Sequence, residues 1–306
     1  MSGPLEVPDS AARLKSLLAS RNLSPNRRFG QNFLIEFRVL DVIVRLAELS
    51  PADVVLEVGT GLGTLTRRLG EVASLVVSIE IDNGLYALAR DLLGNQERVR
   101  LIHGDIMETK ATLHAEACEK LDVALVEDDS RALKVVSNLP YNISTPFLTA
   151  LILRFGLPQR MVLMVQRELA ENLVAKPGSK SYSPLSILLQ LLADVRVDRY
   201  LPRDVFWPKP QVESAIVVID GNSEDAMPVL RAYPLIRFLF TERRKTIGSL
   251  LKKLPAHMGG SALTDETRAK VLESLELEGR ERAESLDPRT FLAMEKAISH
   301  FTVRRS

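Results

Sequence analysis

The stretch Asn138–Tyr141, with the sequence Asn-Leu-Pro-Tyr, carries the side chains best suited to chemistry. The Asn138 side-chain oxygen can accept a hydrogen bond from an amine, Pro140 stiffens the turn because its ring fixes φ, and Tyr141 can stack on a nucleobase. Together these groups suit the exocyclic amine of a base. The alternative interpretation is an ordinary proline turn after a strand, which the motif alone does not exclude.

The composition is that of an ordinary globular protein. The chain has 306 residues, 46% hydrophobic and 26% charged, with a formal net charge of +1. This length allows one large and one smaller domain, and the charge balance identifies no partner. A single cysteine, Cys118, excludes a disulfide or a cysteine metal cluster within the chain. Without a signal-peptide pattern or a membrane-spanning apolar run, we expect a soluble, cytoplasmic protein.

Strand and helix patterns alternate from residue 52, which predicts a parallel sheet with helices on both faces. The predicted strands are Val54–Val58, Leu75–Glu80, Val99–His103, Val135–Ser137 and Met161–Val165. The predicted helices are Ala11–Ala19, Val39–Leu49, Leu62–Leu69 and Gly84–Leu93. Two later runs, Val195–Leu201 and Ala215–Ile219, are expected to pair as antiparallel strands at the sheet edge.

Helical patterns without clear strands occupy the rest of the chain. We therefore predict a first domain at residues 1–220 and a small helical domain at 228–306, joined by a linker at 221–227.

A glycine-rich loop follows the first predicted strand. Glu57–Gly63 has the spacing G-x-G-x-G, whereas the dinucleotide fingerprint is G-x-G-x-x-G/A. Gly59 and Gly61 allow a ligand to approach the backbone closely. The spacing therefore favours S-adenosylmethionine over NAD.

Acidic residues follow the next two strands. Glu80, with Ile81 after it, ends the second strand, where an acid can accept from ribose hydroxyls. Asp105, followed by Ile106, comes after the third strand and is placed to meet an adenine amine. Each acid alone is explained by a helix N-cap. Their common register with the glycine loop and Asn138 favours one cofactor site at one sheet edge.

Motifs along nearly the whole chain resemble those of the KsgA family of small-subunit ribosomal RNA adenine dimethyltransferases. They are Arg28–Leu34, Glu57–Thr64, Ile79–Glu80, Gly104–Asp105, Asn138–Asn142, Val165–Glu168, Lys176–Ser179, Phe206–Ser214 and Arg243–Thr246. The resemblance implies an α/β fold, a Rossmann-like seven-stranded methyltransferase sheet with a small helical C-terminal domain. It also implies a monomer that acts on small-subunit ribosomal RNA or an immature small subunit.

The resemblance assigns roles within the site. The implied contacts to S-adenosylmethionine are Asn32, Leu34, Gly59, Gly61, Glu80, Ile81, Asp105, Ile106 and Asn138. The implied catalytic residues are Asn138, Leu139, Pro140 and Tyr141. Asn138 and the Leu139 carbonyl would receive the adenine N6 amine, so catalysis would depend on positioning and electrostatics without a metal.

Other residues are candidates for holding the RNA. Phe147, Phe206 and Trp207 could clasp a flipped base, although core packing is the alternative, above all for Phe147. The basic run Arg243, Arg244 and Lys245, expected on a helix, is the predicted phosphate contact, with a solvated helix face as the alternative.

The stretch Cys118–Arg131 is longer and more acidic than the family pattern leads us to expect. We expect a surface excursion before the fourth strand that points away from the RNA.

Four alternatives to this function stay open. They are a large-subunit adenine methyltransferase of the erythromycin-resistance type, a DNA adenine methyltransferase, an assembly factor acting mainly by binding, and an NAD-dependent oxidoreductase.

Overall fold

A computed structural model describes Pro8 and residues 10–222, 225–258 and 263–303. Within these ranges the strands are β1 Phe33–Leu34, β2 Asp53–Val58, β3 Leu75–Glu80, β4 Val99–His103, β5 Ala132–Asn138, β6 Arg160–Gln166, β7 Ala193–Leu201, β8 Phe206–Trp207 and β9 Ser214–Gly221. The helices are α1 Ala11–Ser20, α2 Phe37–Ala47, α3 Thr64–Gly70, α4 Asn83–Leu93, α5 Ala115–Val126, α6 Ser144–Phe155, α7 Arg167–Leu173, α8 Pro184–Leu192, α9 Met227–Leu239, α10 Ile247–Leu251, α11 Asp265–Ser274 and α12 Pro288–Val303.

A seven-stranded sheet with the order β4-β3-β2-β5-β6-β9-β7 organises the fold. Strands β2 to β6 pair in parallel, and β9 pairs antiparallel with β6. From β2 the chain builds outward through β3 and β4, then returns to the other side of β2 as β5. The carboxyl ends of β2 and β5 thus form the switch point where open α/β sheets bind ligands. The predicted Rossmann-like, seven-stranded fold is confirmed.

Apolar strands covered on both faces explain why the sheet is parallel. All six residues of β2 are buried, as are the five central residues of both β5 and β6. Helix α2 contributes Leu40 and Ile43 to the core over these strands.

The expectation for Cys118–Arg131 is partly wrong, because most of the stretch is helix α5 rather than a surface excursion. Ala117, Leu121 and Ala124 are buried at helical spacing, and α5 contacts β2, β3 and β5. Within the stretch, only residues 127–131, between α5 and β5, lie outside the helix. Whether that acidic turn points away from the RNA stays a prediction.

Two helices between β6 and β7 were not anticipated. Helix α8 begins at a capping box, in which Ser183 and Ser186 exchange side-chain and backbone hydrogen bonds, with Pro184 at its first turn. The two-residue strands β1 and β8 also escaped prediction; they pair antiparallel through Phe33 with Trp207 and Leu34 with Phe206.

Contacts divide the chain into two units, Met1–Ala170 with Arg196–Gly221 and Glu171–Val195 with Asn222–Ser306. The core of the second unit includes the rings of Tyr182, Phe240 and Phe291. The assignment of methyl transfer to a first domain and RNA contact to a second stays a prediction. None of the helices in the described ranges is long and apolar enough to cross a membrane.

A buried ion pair should stabilise the amino-terminal edge of the sheet. Lys134 Nζ lies 2.9 Å from Asp53 Oδ2 and also donates to the Ala47 and Glu48 carbonyls at the end of α2. Lys134→Met leaves the Asp53 carboxylate buried without its cation, which should cost about 3–5 kcal/mol. Urea denaturation measures this as a lower midpoint. Lys110→Met, at an exposed lysine, should leave the midpoint unchanged; equal midpoints for both variants would contradict the account.

Candidate functional site

A cavity at the carboxyl ends of the parallel strands brings the predicted cofactor and catalytic residues together. It encloses about 1180 Å³ of atom-free space, part of it open to solvent. The predicted residues that line it are Asn32, Leu34, Gly59, Gly61, Glu80, Ile81, Asp105, Ile106, Asn138, Leu139, Pro140 and Tyr141. All of them belong to the first unit.

The cavity opens where β2 and β5 stop pairing. Their backbone register ends at Leu56 opposite Val135. Beyond that point the buried Ser137 hydroxyl links the two strands in place of backbone pairing. Its Oγ donates to the Val58 carbonyl at 2.7 Å and accepts from the Val58 N–H at 3.3 Å. The two strand ends are therefore held apart and still fixed to each other.

Glycine is required in the loop that follows β2. Gly59 and Gly61 have φ of +83° and +57°, in the left-handed region that side chains disfavour. A Cβ at Gly59 would also lie 3.6 Å from Pro140 Cγ and 3.8 Å from the Asn138 carbonyl oxygen. The glycine loop therefore touches the Asn138–Tyr141 turn directly.

The two acids that follow β3 and β4 are not helix caps. Glu80 accepts from the Gly61 N–H and the Asp82 N–H, both at 2.9 Å, through different oxygens. Burial raises the pKa of Glu80, while these backbone hydrogen bonds oppose the rise. Asp82, the next acid, caps α4 by accepting from the Leu85 N–H. Asp105 is exposed and accepts from the Met107 N–H at 2.9 Å, well before α5 begins.

The Asn138 amide is oriented by the N-terminal segment. Its Nδ2 donates to the Asn32 carbonyl at 3.2 Å, and the Leu139 N–H donates to the Met164 carbonyl at 3.1 Å. Within the described part of the chain, no group donates to Asn138 Oδ1 or to the Leu139 carbonyl. Both oxygens are thus available as the paired amine acceptors that the sequence suggested.

The rest of the turn is rigid. The Pro140 carbonyl accepts from the Ile143 N–H and from Ser144 Oγ. The Tyr141 hydroxyl lies 2.5 Å from Oγ of Ser214, at the start of β9. Burial raises the pKa of Tyr141, so its hydroxyl stays protonated and serves to hold the ring in place.

A hydrogen-bonded chain of buried side chains, which the sequence argument missed, lies behind the glycine loop. Thr66 Oγ1 and Ser78 Oγ both donate to Glu57 Oε2, at 2.6 and 2.7 Å. Because Ser78 has one hydroxyl proton, Thr60 Oγ1, which is 2.6 Å from Ser78 Oγ, must be the donor in that pair. Burial raises the pKa of Glu57 to about 8, despite the two hydroxyl hydrogen bonds that lower it. Glu57 is therefore mostly neutral at pH 7.

The sequence does contain a sign of these hydrogen-bonded side chains. Glu57 and Ser78 are polar residues inside otherwise apolar buried strands, and they are register partners across β2 and β3. Phe29, Gln31 and Phe33 also line the cavity; their roles were not predictable because they lie in a segment without regular periodicity.

The charge of the lining selects the kind of ligand. Its ionisable acidic and basic residues, among those the structure describes, are the carboxyl groups Glu57, Glu80 and Asp105; no lysine, arginine or histidine lines the cavity. A cationic ligand suits such a lining, whereas a pyrophosphate would be repelled. No group of three or more possible metal-ligating side chains occurs within the described ranges.

A second groove adjoins the cavity at Tyr141. It shares Gly30, Gln31, Asn32 and Asn142 with the cavity, and its further polar lining residues are Arg28, Gln166, Lys209 and Gln211. Amides and two cations thus line the groove, and none of its described lining residues carries a carboxyl group.

The prediction that three aromatic residues could hold a flipped base is wrong for two of them. Phe147 and Phe206 are 0% and 2% exposed and belong to the core. Trp207 is half-buried, stacks on Phe33 and lies under Lys15 Nζ. None of the three lines the cavity or the groove.

The predicted basic run lies in a turn between α9 and α10 rather than on a helix. The Arg243 guanidinium is occupied, because it donates to Glu284 and to the carbonyls of Lys180 and Tyr182. Arg243 therefore orders its own unit. Arg244 and Lys245 are exposed.

Comparison with known proteins gives consistent matches. A family model described as ribosomal RNA adenine dimethylase matches residues 22–293. Ribosomal RNA small subunit methyltransferase A of Geobacillus kaustophilus (strain HTA426) is 36% identical over 94% of this chain and 95% of that protein. The protein of the same name from Moorella thermoacetica (strain ATCC 39073 / JCM 9320) is 33% identical over 94% of this chain and 97% of that protein.

Solved structures show the same similarity. A dimethyladenosine transferase from Plasmodium falciparum matches with a TM-score of 0.65 and 27% identity, covering 84% of this chain and 94% of that chain. The 23S rRNA methyltransferase ErmE matches with a TM-score of 0.59 and 22% identity, covering 88% and 100%. At that identity ErmE shows a shared fold alone.

The neutral Glu57 should make stability depend on pH. Its pKa is about 8 in the folded protein and near 4.5 when unfolded, so its contribution to stability falls as pH rises between these values. Glu57→Gln removes the ionisation and can still accept both hydroxyl hydrogen bonds. The quantity compared is the free energy of unfolding without ligand, taken as Glu57→Gln minus wild type. This difference should be at least about 1 kcal/mol larger at pH 8 than at pH 5.

Denaturant titration at the two pH values measures this difference. The control is Glu71→Gln, an exposed carboxyl directly after α3, which should show no such gain. A pH-independent gap between wild type and Glu57→Gln would contradict a raised pKa.

Proposed function

The chain belongs to the ribosomal RNA adenine dimethylase family, and on that premise we propose that it transfers methyl groups from S-adenosylmethionine to adenine N6 in small-subunit ribosomal RNA. The observation that carries this mechanism is the pair of free acceptors, Asn138 Oδ1 and the Leu139 carbonyl, in the wall of an acid-lined cavity. Family membership makes the protein a ribosomal RNA methyltransferase; the donor, the residue roles and the RNA path are proposals.

Acceptance of two hydrogen bonds addresses the weakness of the nucleophile. The N6 lone pair of adenine is delocalised into the ring, which makes the amine a poor nucleophile. If Asn138 Oδ1 and the Leu139 carbonyl both accept from the amine, the nitrogen becomes pyramidal and directs its lone pair toward the methyl group. The fixed Asn138 amide supplies this geometry in advance, so positioning is the main catalytic contribution.

The cavity supports S-adenosylmethionine as the donor, which when bound supplies an activated methyl group on a positive sulfonium. Glu80 presents its carboxyl group for the ribose hydroxyls, and Asp105 stands at the β4 end for the adenine amine. Gly59 lines the cavity without a side chain, which suits close approach of the methionine end to its backbone. The absence of any cation among the described lining residues argues against NAD.

The remaining alternatives have less support. The relatives at 33–36% identity are named small-subunit methyltransferases, whereas the large-subunit enzyme ErmE shares the fold alone. The intact acceptor pair at Asn138 argues against a factor that acts only by binding. The monomeric state, the cytoplasmic location and the assembly stage of the ribosomal substrate stay predictions.

The groove beside Tyr141 is the proposed path for the RNA strand next to the target base. Arg28 and Lys209 can neutralise phosphates there, and the amides of Gln166 and Gln211 can donate to sugar and phosphate oxygens. In the second unit, Arg244 and Lys245 are the proposed phosphate contacts.

A substrate comparison tests the function. Radiolabelled S-adenosylmethionine is offered with immature small subunits, large subunits and duplex DNA. We expect label in the small-subunit RNA alone. Label confined to large subunits or to DNA would overturn the proposal.

Asn138→Ala removes one of the two amine acceptors and should lower kcat by roughly 100-fold or more. Single-turnover kinetics on immature small subunits measures the methyl-transfer step, and cofactor titration reports the occupancy of the site. Unchanged single-turnover rates at saturating cofactor would contradict the role of Asn138.

A matched pair at Tyr141 separates its ring from its hydroxyl. Tyr141→Phe keeps the ring and loses only the bond to Ser214, so activity should stay within a few-fold of wild type. Tyr141→Ala removes the stacking surface, worth about 1–3 kcal/mol per base, and should lower kcat/KM for RNA roughly tenfold or more. Equal losses in the two variants would show that the ring does not hold the base.

Lys209→Ala should raise KM for RNA and reduce the slope of log affinity against log salt by about 1, with KM for the cofactor unchanged. The control is Arg98→Ala, an exposed arginine directly before the edge strand β4 that lines neither the cavity nor the groove, which should change neither quantity. Equal salt slopes for Lys209→Ala and wild type would exclude a phosphate contact at Lys209.

A further inference from the structure

Glu57 has one carboxyl oxygen committed to the fold and one free. Oε2 accepts from Thr66 and Ser78, so in the neutral acid the proton is on Oε1. No described residue donates to Oε1, and Oε1 is not among the fully buried side-chain atoms without a hydrogen-bond partner, so a small part of it is accessible although Glu57 as a whole is only 1% exposed. Because Glu57 lines the cavity and Oε2 is already committed, Oε1 is the side-chain oxygen that Glu57 can offer to a ligand there.

The groups facing Glu57 leave its charge uncompensated in the empty site. From β3 it faces Ser78 and Glu80, and from α3 Thr66; Thr60, in the glycine loop, reaches it only through Ser78. Asp105, after β4, lines the same cavity. The ionisable neighbours are thus acids, and the others are uncharged hydroxyls.

We propose that Glu57 is a cofactor contact that exchanges a proton: its carboxyl is neutral in the empty cavity and ionises at Oε1 when a cationic ligand binds. The proposal rests on the proposed function, in which S-adenosylmethionine is that ligand. An entering positive group supplies the missing counter-charge, so the Oε1–H bond breaks and the proton passes to solvent. The hydroxyl bonds to Oε2 persist because a carboxylate accepts them equally well.

This exchange gives Glu57 a part in ligand selection. An ionised Glu57 attracts the cationic ligand, whereas an anionic ligand would find a buried acid that cannot ionise beside it. The glycine loop keeps its shape in both states, since Thr60 is tied to Ser78 and Ser78 to Oε2 throughout.

Isothermal titration of the protein with S-adenosylmethionine, at pH 7 in two buffers of different ionisation enthalpy, counts the protons exchanged. Wild type should release about one proton per site. Glu57→Gln, which preserves the acceptor for both hydroxyls, should release almost none and bind roughly tenfold more weakly. Glu71→Gln, the exposed control, should release protons as wild type does. Repeating wild type near pH 9 should diminish the release, because Glu57 is then already ionised.

Binding with the same enthalpy in both buffers would overturn this inference and leave the cofactor assignment intact. Undiminished release in Glu57→Gln would assign the proton to another group and overturn it as well. Absence of binding by wild type would overturn the cofactor assignment and this inference together. Thermal melting of each variant confirms that it is folded.

Discussion

The separation of β2 from β5 at their carboxyl ends is the constraint on which the site depends. Parallel pairing continues through Leu56 and Val135, and the Ser137 hydroxyl then bridges to the Val58 backbone. This arrangement opens a cavity without releasing either strand. The glycine loop of one strand and the Asn138–Tyr141 turn of the other therefore face each other across a distance set by the sheet. Under the proposed function, donor and acceptor meet between these two walls.

Electrostatics gives this geometry its selectivity. The described lining carries carboxyl groups and no cation, and burial raises the pKa of Glu57 to about 8. The N–H groups of Gly61 and Asp82 fix the orientation of the Glu80 carboxyl group. The lone pairs that they leave free therefore have a fixed direction. The adjoining groove has the opposite character, with Arg28 and Lys209 among amides. The two surfaces therefore suit the proposed cationic donor and the proposed polyanionic acceptor, respectively.

The parts of the molecule that follow from local pattern could be predicted from the sequence. Apolar runs predicted the parallel strands, and the residues after them, from Gly59 to Asn138, do line one cavity. The individual partners that a side chain finds in a distant segment could not be predicted. Phe206 carries the same ring whether it packs in the core or meets a base, and Arg243 has the same charge whether it binds phosphate or carbonyls of its own unit. The pairing of β1 with β8 spans two residues, too few to show a period.

The central claim is that the methyl donor and the amine acceptors meet between the β2 loop and the β5 turn. The most direct measurement is a crystal structure with S-adenosylhomocysteine bound. The account predicts the ribose hydroxyls on Glu80, the adenine beside Asp105, and the sulfur facing Asn138 Oδ1 with room for one amine nitrogen between them. A ligand in this cavity whose sulfur points away from Asn138, or a ligand bound elsewhere, would contradict it.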